Sequence, residues 1–259
     1  MEEGKKIFYK LIESYEIILE SFRPGVMDRL GIGYQELRKR NPRLIFCSLS
    51  GYGQDGPYRE RSGHDINYIG LGGILEITGE KDKSPILPGV QIADIGGGGM
   101  MAALAILAAA IYREKTGEGQ YLDVSMMDGV LSWLSIHAGK YLMDKELPKR
   151  GDMRLTGRYA CYQVYPTKDK RYMSLGALEP KFWKNFCEAI GREDLILKQF
   201  IEGEERIQII EKIRELFKTK TQKEWIEFFK DVDACCEPIL NFDEVFQHPH
   251  VLHRKMVVE

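Results

Sequence analysis

The sequence predicts an α/β fold built on a mostly parallel sheet, followed by a smaller α+β region. Short apolar runs at 16–20, 44–50 and 120–125 are separated by stretches with helical periodicity. This alternation favours a parallel sheet, because parallel strands need a crossover connection between them. Farther along, two alternating strands at 159–165 and 171–176 precede stretches that are mainly helical, which is typical of an α+β unit.

The first half of the chain alternates helical and extended segments. A helix is predicted at 3–12, before the strand at 16–20, and the turn Phe22 to Gly25 then breaks the chain. The remaining segments, in order, are helical stretches at 26–30 and 34–40, the strand 44–50, an amphipathic segment at 64–78, a helix at 100–113, the strand 120–125 and a helix at 128–143. The helix at 100–113 is apolar nearly all round, so we expect it to be buried.

A domain boundary is predicted near 148–156, where the sequence becomes charged and loop-like. We therefore expect a large domain at 1–147 and a small domain at 148–259. The small domain holds the two strands and then helices at 180–190, 204–218 and 222–231. The second of these helices is expected to present Ile207, Ile210, Ile213 and Phe217 on one face.

Composition excludes several classes of protein. The 37 basic and 39 acidic residues give a net charge of −2, which predicts no nucleic-acid or anionic-membrane partner. Five cysteines without a CxxC pair predict neither a disulfide framework nor a zinc site, and a reducing cytoplasm fits them best. The N-terminus lacks the apolar core of a signal peptide, and the apolar run 100–111 is shorter than a bilayer span. We expect a soluble cytoplasmic protein.

Two glycine-rich segments resemble nucleotide-binding motifs without meeting their requirements. Residues 51–56 fit GxGxxG after a strand, but the following segment 57–62 does not open a helix, so no helix N-terminus is predicted to hold a pyrophosphate. Gly96 to Gly99 are followed by no Gly-Lys-Ser or Gly-Lys-Thr. We therefore predict no dinucleotide site and no P-loop.

Asp94 is the first candidate for catalysis, since a carboxylate before a glycine run and an apolar helix can lie beside free backbone N–H groups. An ordinary helix cap is the structural alternative. Four successive glycines, Gly96 to Gly99, cost backbone entropy and are best explained by the close approach of a ligand or another backbone.

Each of the other polar candidates has both a structural and a functional interpretation. His64, in GHDINY at 63–68, is either a base near neutral pH or a structural residue. Glu179 precedes Pro180 and is either a helix cap or an acid/base group. Arg23 and Arg29 flank a Pro-Gly turn and either bind phosphate or lie on the solvated surface. The proline in HPHVLH, 248–253, disfavours a helical metal-binding face, and no metal site is predicted.

The order of these motifs resembles the class III CoA-transferase family (CaiB/BaiF type), and within it the α-methylacyl-CoA racemase branch. The family signature is similar to ESFRPGVMDRLG at 20–31, followed by NPRLI at 41–45 and the Gly51-Tyr-Gly53 loop. GHDINY at 63–68 resembles the element typical of the racemases, and ADIGG at 93–97 holds the family aspartate. GALEPKFW at 176–183 resembles the racemase small domain.

The resemblance implies an open, Rossmann-like large domain, interlocked homodimers and an acyl-CoA substrate, with no cofactor beyond the coenzyme A of that substrate. In transferases the residue equivalent to Asp94 is a nucleophile, whereas in racemases it is the acid/base partner of the histidine equivalent to His64, which Glu179 would assist. By the same resemblance we assign CoA binding to Arg23, Arg29, Gly63, Asp65, Asn67 and Tyr68. Backbone N–H groups near the glycine run are expected to stabilise the thioester oxyanion.

Against the family pattern, the chain is expected to lack a first strand, turn and helix of the large domain and the C-terminal return from the small domain. Three hypotheses follow: racemisation or epimerisation of 2-methylacyl-CoA by two-base proton transfer, CoA transfer between carboxylic acids through Asp94, and a truncated acyl-CoA-binding protein without catalysis.

Overall fold

The structure is a computed structural model that describes residues 2–258. The chain divides into two compact units, Met1–Arg150 and Gly151–Glu259. The boundary predicted between 147 and 148 lies close to this division.

The first unit contains three strands and eight helices within its described residues. The helices are α1 (Glu2–Ser14), α2 (Val26–Arg29), α3 (Tyr34–Arg38), α4 (Asp65–Leu71), α5 (Ile74–Ile77), α6 (Ile92–Thr116), α7 (Met126–Ser132) and α8 (Ser135–Asp144). The strands are β1 (Ile17–Glu20), β2 (Ile45–Ser50) and β3 (Tyr121–Ser125). The helix expected at 128–143 is thus two helices, separated at Trp133 and Leu134.

The three strands form one parallel sheet in the order β1-β2-β3, which confirms the predicted parallel α/β arrangement. Ile17 pairs with Ile45 on one side of β2, and Phe46 pairs with Tyr121 on the other. The central strand is almost wholly buried because helices cover both of its faces. Ala102 of α6 packs on Cys47 and Val124 on one face, while Ile12, Leu37 and Phe46 share a core on the other.

The glycine run lies inside α6 and not before it. The first turns of this helix, Ile92–Met100, are π-helical, and they pack closely on α7. A Cβ atom at Gly129 would lie 2.1 Å from the carbonyl oxygen of Gly97, and one at Gly97 would lie 2.6 Å from that of Met126. The close approach expected from four glycines is therefore the approach of another backbone, that of α7.

The expectation that the apolar helix is buried was wrong for one of its faces. Small residues such as Ala102 and Ala109 face the protein, whereas Leu104, Leu107 and Ile111 are each about 60% exposed. The only charged residue buried in the helix, Arg113, forms an ion pair with Glu16 at 3.0 Å. Leu104, Leu107 and Ile111 therefore lie on a face of α6 that the described residues of this unit leave exposed.

Helix α6 is also longer than the apolar run that the sequence analysis considered. Among the described residues, it is the one helix long and apolar enough, by length and composition, to cross a membrane. The apolar run 100–111 is only part of this helix, which extends from Ile92 to Thr116. A core helix of a soluble protein meets the same criterion, and Ala102, Ala109 and Arg113 are buried against the protein.

The second unit has an antiparallel sheet with helices packed around it, in the α+β arrangement predicted for it. Its strands β4 (Tyr162–Pro166), β5 (Tyr172–Gly176) and β6 (Cys236–Pro238) lie in the order β4-β5-β6. Its helices are α9 (Pro180–Ala189), α10 (Glu204–Phe217), α11 (Gln222–Phe229), α12 (Phe242–Gln247) and α13 (Pro249–His253), with a 3₁₀ segment at Glu193–Lys198. β6 was missed by the sequence analysis.

The core of the second unit is aromatic. Trp183, Phe186, Phe217 and Trp225 are buried and form a continuous set of ring contacts. The face predicted for α10 was partly wrong, because Ile209 takes the buried position and Ile207 is exposed.

Four of the five cysteines are buried free thiols, one in β2 and three in the second unit. Burial raises the pKa of Cys47 and Cys161 to about 11 and that of Cys187 to about 12, since it disfavours the thiolate. Cys235 is the exposed one.

We expect Gly97→Ala and Gly129→Ala to lower the free energy of unfolding by about 1–3 kcal/mol each, because the added methyl group forces α6 and α7 apart. Gly99→Ala is the matched control. It lies in the same helix, but its Cβ would meet only the Asp94 carbonyl at 3.6 Å, so alanine there should be neutral or stabilising. Urea unfolding followed by circular dichroism measures all three, and equal stability of Gly129→Ala and Gly99→Ala would contradict the packing described.

Candidate active site

A cleft of about 450 Å³ lies in the first unit where β1 and β2 end. Its walls include the segment after β1, the end of β2, the loop after β2, and the side chains of His64 and Asp94. In open parallel sheets the carboxyl edge is where ligands bind, because the loops that leave the strands meet there. This cleft is therefore our candidate active site.

Asp94 lies in the first turn of α6, exposed in the cleft. Its pKa is raised above the ordinary value, first because the surrounding protein excludes water from the carboxylate and second because Asp65 places another negative charge nearby. His64 acts in the opposite sense and lowers the pKa of Asp94, since a positive charge nearby favours the carboxylate. Two side chains whose chemical groups can accept and donate protons thus line one cleft, although 30 positions separate them in the sequence.

His64 immediately precedes α4 and is fixed by its own turn. Its backbone N–H donates to Asn67 Oδ1 at 3.0 Å. The hydroxyl of Tyr68 donates to the carbonyl of Gly63 at 2.6 Å, and a Cβ atom at Gly63 would lie 2.7 Å from the Tyr68 ring. Asn67, Tyr68 and Gly63 therefore shape the turn that carries His64.

Asp65 connects this turn to α6. Its Oδ1 accepts the backbone N–H of Ala93 at 2.6 Å and that of Asp94 at 3.1 Å. The next N–H, of Ile95, donates to the Gln91 carbonyl. The N–H groups of Ala93, Asp94 and Ile95 are thus already bonded within the protein. The expectation that N–H groups near the glycine run stabilise an oxyanion was therefore wrong for these three residues, and the glycines themselves lie inside the helix.

Four residues were assigned to CoA binding from the GHDINY segment. Gly63 and Tyr68 line the cleft, whereas the side chains of Asp65 and Asn67 bond to backbone N–H groups of the protein itself. Their role toward CoA stays a prediction.

Several arginine side chains lie around the turn between β1 and α2. A Cβ atom at Gly25 would lie 3.1 Å from Arg59 Nη2 and 3.2 Å from Arg29 Nη1, so both guanidinium groups lie against this turn. Arg23 and Arg59 line both the cleft and a neighbouring cavity of about 270 Å³. Arg61 also lines the cleft and stacks over Tyr58, 4.2 Å from the ring centre. Arg59 and Arg61 were not predicted from the sequence, where their only signal was their position in the polar loop after β2.

Ser50 was also missed. It is the last residue of β2, it lines the cleft, and its Oγ is buried without a hydrogen-bond partner in the described structure. A buried hydroxyl without a partner is unusual, so Ser50 is a candidate for contact with a bound ligand. Its position at the end of a predicted strand was the signal available in the sequence.

Glu179 belongs to the second unit, where it is exposed at the N-cap position of α9 with Pro180 after it. Its side chain makes no capping hydrogen bond, so the structural interpretation as a helix cap is not supported. Its predicted assistance to His64 stays a prediction.

Residues 2–258 contain no group of three or more His, Cys, Asp or Glu side chains arranged to hold a metal ion. In the histidine-rich segment, His248 Nδ1 instead accepts the backbone N–H of His250 at 3.3 Å.

Comparison with known proteins identifies relatives of both activities. The profile of CoA-transferase family III matches residues 1–259. An α-methylacyl-CoA racemase of Homo sapiens is 37% identical over 249 residues, which are 95% of this chain and 65% of the relative. A human succinyl-CoA:glutarate CoA-transferase is 30% identical over 99% of this chain and 59% of its own length.

A solved structure of a CAIB/BAIF family protein from Brucella suis superposes with a TM-score of 0.82 at 30% identity, covering 100% of this chain and 69% of that one. The chain thus spans about two thirds of the length of the relatives that it matches. The profile match over the whole chain and the agreement of fold lead to one conclusion: the chain belongs to CoA-transferase family III.

Proposed function

We propose that the protein racemises or epimerises the α-carbon of 2-methylacyl-CoA thioesters by two-base proton transfer. The observation that carries this proposal is that His64 and Asp94 line one cleft and interact electrostatically. Inversion of a carbon centre by proton transfer needs one group that removes the proton and another that returns a proton from the opposite face. An imidazole and a carboxyl group suit both tasks.

The raised pKa of Asp94 supports this role. A carboxyl group with an ordinary pKa is almost fully ionised near neutral pH and is a poor proton donor, whereas a raised pKa brings the group closer to the working pH. For one enantiomer His64 removes the α-proton and Asp94 donates one to the other face. For the opposite enantiomer the roles exchange, and Glu179 is proposed to assist His64.

The arginines are proposed to bind the phosphates of CoA. Guanidinium groups pair with phosphate oxygens through charge-assisted hydrogen bonds, and Arg23 and Arg59 line both neighbouring cavities. A ligand with phosphates beside these arginines can extend its thioester along the cleft toward His64 and Asp94. This supports an acyl-CoA thioester as the substrate.

CoA transfer between carboxylic acids is the second candidate. It is favoured by the exposure of Asp94 in the cleft, since a nucleophilic carboxylate must reach the thioester carbonyl, and by similarity to the human succinyl-CoA:glutarate CoA-transferase. This reaction needs Asp94 but gives His64 no proton to transfer. The two candidates therefore differ in their dependence on His64.

Incubation of 2-methylacyl-CoA in deuterated water, followed by NMR, should show exchange of the α-proton. We expect Asp94→Ala and His64→Ala each to lower the exchange rate by at least about 100-fold, the usual size of a lost acid/base contribution, while Glu179→Gln lowers it less. His137→Ala, which removes a histidine outside the cleft lining, is the matched control and should exchange normally.

A parallel sample with free carboxylic acids tests the alternative. CoA migration that depends on the acceptor, is lost in Asp94→Ala and persists in His64→Ala would replace the racemase proposal with the transferase. Binding of the thioester with neither reaction would contradict both and indicate a non-catalytic acyl-CoA-binding protein.

Arg23→Ala and Arg59→Ala should each weaken CoA binding by about tenfold, because each removes a charge-assisted contact with phosphate. Arg38→Ala is the control, since Arg38 is exposed on α3 and lines neither cavity. Isothermal titration calorimetry with CoA and with an acyl-pantetheine, which lacks the nucleotide and its phosphates, separates phosphate binding from other effects. An equal loss of affinity for both ligands would argue against phosphate recognition by these arginines.

A further inference from the structure

We propose that Asp65 is the positioning residue for Asp94: its carboxylate binds the backbone N–H groups of Ala93 and Asp94 and holds the Asp94 carboxyl group in the cleft that His64 lines. The inference rests on the proposed role of Asp94 in proton transfer. It assigns Asp65 a task other than contact with CoA.

The geometry is that of a carboxylate bound to the first turn of a helix from outside. One oxygen, Asp65 Oδ1, lies 2.6 Å from the Ala93 nitrogen and 3.1 Å from the Asp94 nitrogen. N–H groups in the first turn of a helix have no partner within the helix, and their partial positive charge attracts an anion. Asp65 is therefore bonded to the backbone of the residue whose side chain enters the cleft.

The start of α6 needs such an external contact. Asp94 is followed closely by four glycines, and glycine fixes the backbone more weakly than any other residue. The turn is also π-helical, with a wider spacing of hydrogen bonds than an α-helix. Local sequence preferences thus leave the backbone at Asp94 poorly determined, and the two bonds to Asp65 supply the constraint.

The same residue links the two reacting groups. Asp65 is bonded covalently to His64, whose turn is closed by Asn67 and Tyr68. His64 and Asp94 are therefore linked through Asp65: a peptide bond joins His64 to Asp65, and two hydrogen bonds join the Asp65 carboxylate to the backbone of α6. A shift of the Asp65 carboxylate would change the separation of the two proton-transferring side chains.

The charge of Asp65 also acts on Asp94. Asp65 and His64 are the charged groups that change the pKa of Asp94, one raising it and the other lowering it. Tyr68 of α4, Arg23, Arg59 and Arg61 line the same cleft, and α7 contributes Met126. Loss of the Asp65 charge should lower the pKa of Asp94, since a nearby negative charge disfavours a second one.

Asp65→Asn and Asp65→Ala separate position from charge. Asparagine keeps an oxygen that can accept the two N–H groups but carries no charge, whereas alanine removes both. We expect the Asp94 carboxyl to titrate at lower pH in Asp65→Asn, measured by ¹³C NMR with Asp94→Asn to assign the signal. The part of the pH dependence of the α-proton exchange rate that reports ionisation of Asp94 should shift to lower pH together with this titration.

In Asp65→Ala we expect the maximal exchange rate to fall by about 10- to 100-fold, because misplacement of a catalytic group is costly, while KM for the thioester stays within about twofold. Asp65→Glu, with the same charge on a longer side chain, should recover part of the rate. Asp144→Asn is the control, because Asp144 is an exposed carboxylate at the end of α8 and its loss changes the net charge equally.

An unchanged Asp94 titration and exchange rate in Asp65→Asn and Asp65→Ala, with only a lower melting temperature, would overturn the proposal and leave Asp65 as a helix cap. The NMR titration needs no turnover. Absence of exchange in the unmodified protein would therefore contradict the proposed function, while the titration would still decide the role of Asp65.

Discussion

The first unit depends on the close packing of two backbones, those of α6 and α7. Gly97 and Gly129 meet without side chains between them, so the two helices approach more closely than they could with a larger residue at either position. This contact lies in the π-helical start of α6, whose first turn carries Asp94. The position of Asp94, the proposed acid/base residue, thus depends on a stretch of chain that has almost no side chains of its own.

The cleft combines two electrostatic environments. At the α4 and α6 end, limited hydration and a second carboxylate make ionisation of Asp94 less favourable. At the β1 end, Arg23, Arg59 and Arg61 form a group of positive charges suited to an anion. The proposed acyl-CoA substrate fits both regions, because its phosphates would lie beside the arginines and its uncharged thioester near His64 and Asp94.

The strands of the first unit could be predicted from the sequence because each is a short run rich in apolar residues between turn or helix signals, although only β2 is buried along most of its length. The strand β6 could not, since Cys236, Glu237 and Pro238 have no strand pattern and become extended only by pairing with β5. The orientation of α6 was also beyond the sequence, because an all-apolar helix does not show which face is covered. His64 and Asp94 were found through their motifs, whereas Arg59, Arg61 and Ser50 belong to the site only through tertiary proximity. The contact of Asp65 with Asp94 joins residues 29 positions apart, and no pattern in either segment predicts it.

The buried thiols are expected to react slowly with thiol reagents. A thiol reacts with disulfide reagents and alkylating dyes as its thiolate, and the raised pKa values of Cys47, Cys161 and Cys187 leave almost no thiolate near neutral pH. Free coenzyme A, which appears by thioester hydrolysis and not by racemisation or CoA transfer, carries an unhindered thiol of ordinary acidity. Colorimetric detection of free CoA can therefore be read in the presence of the native protein with a small and constant background, to which Cys235, as the exposed thiol, is the main contributor.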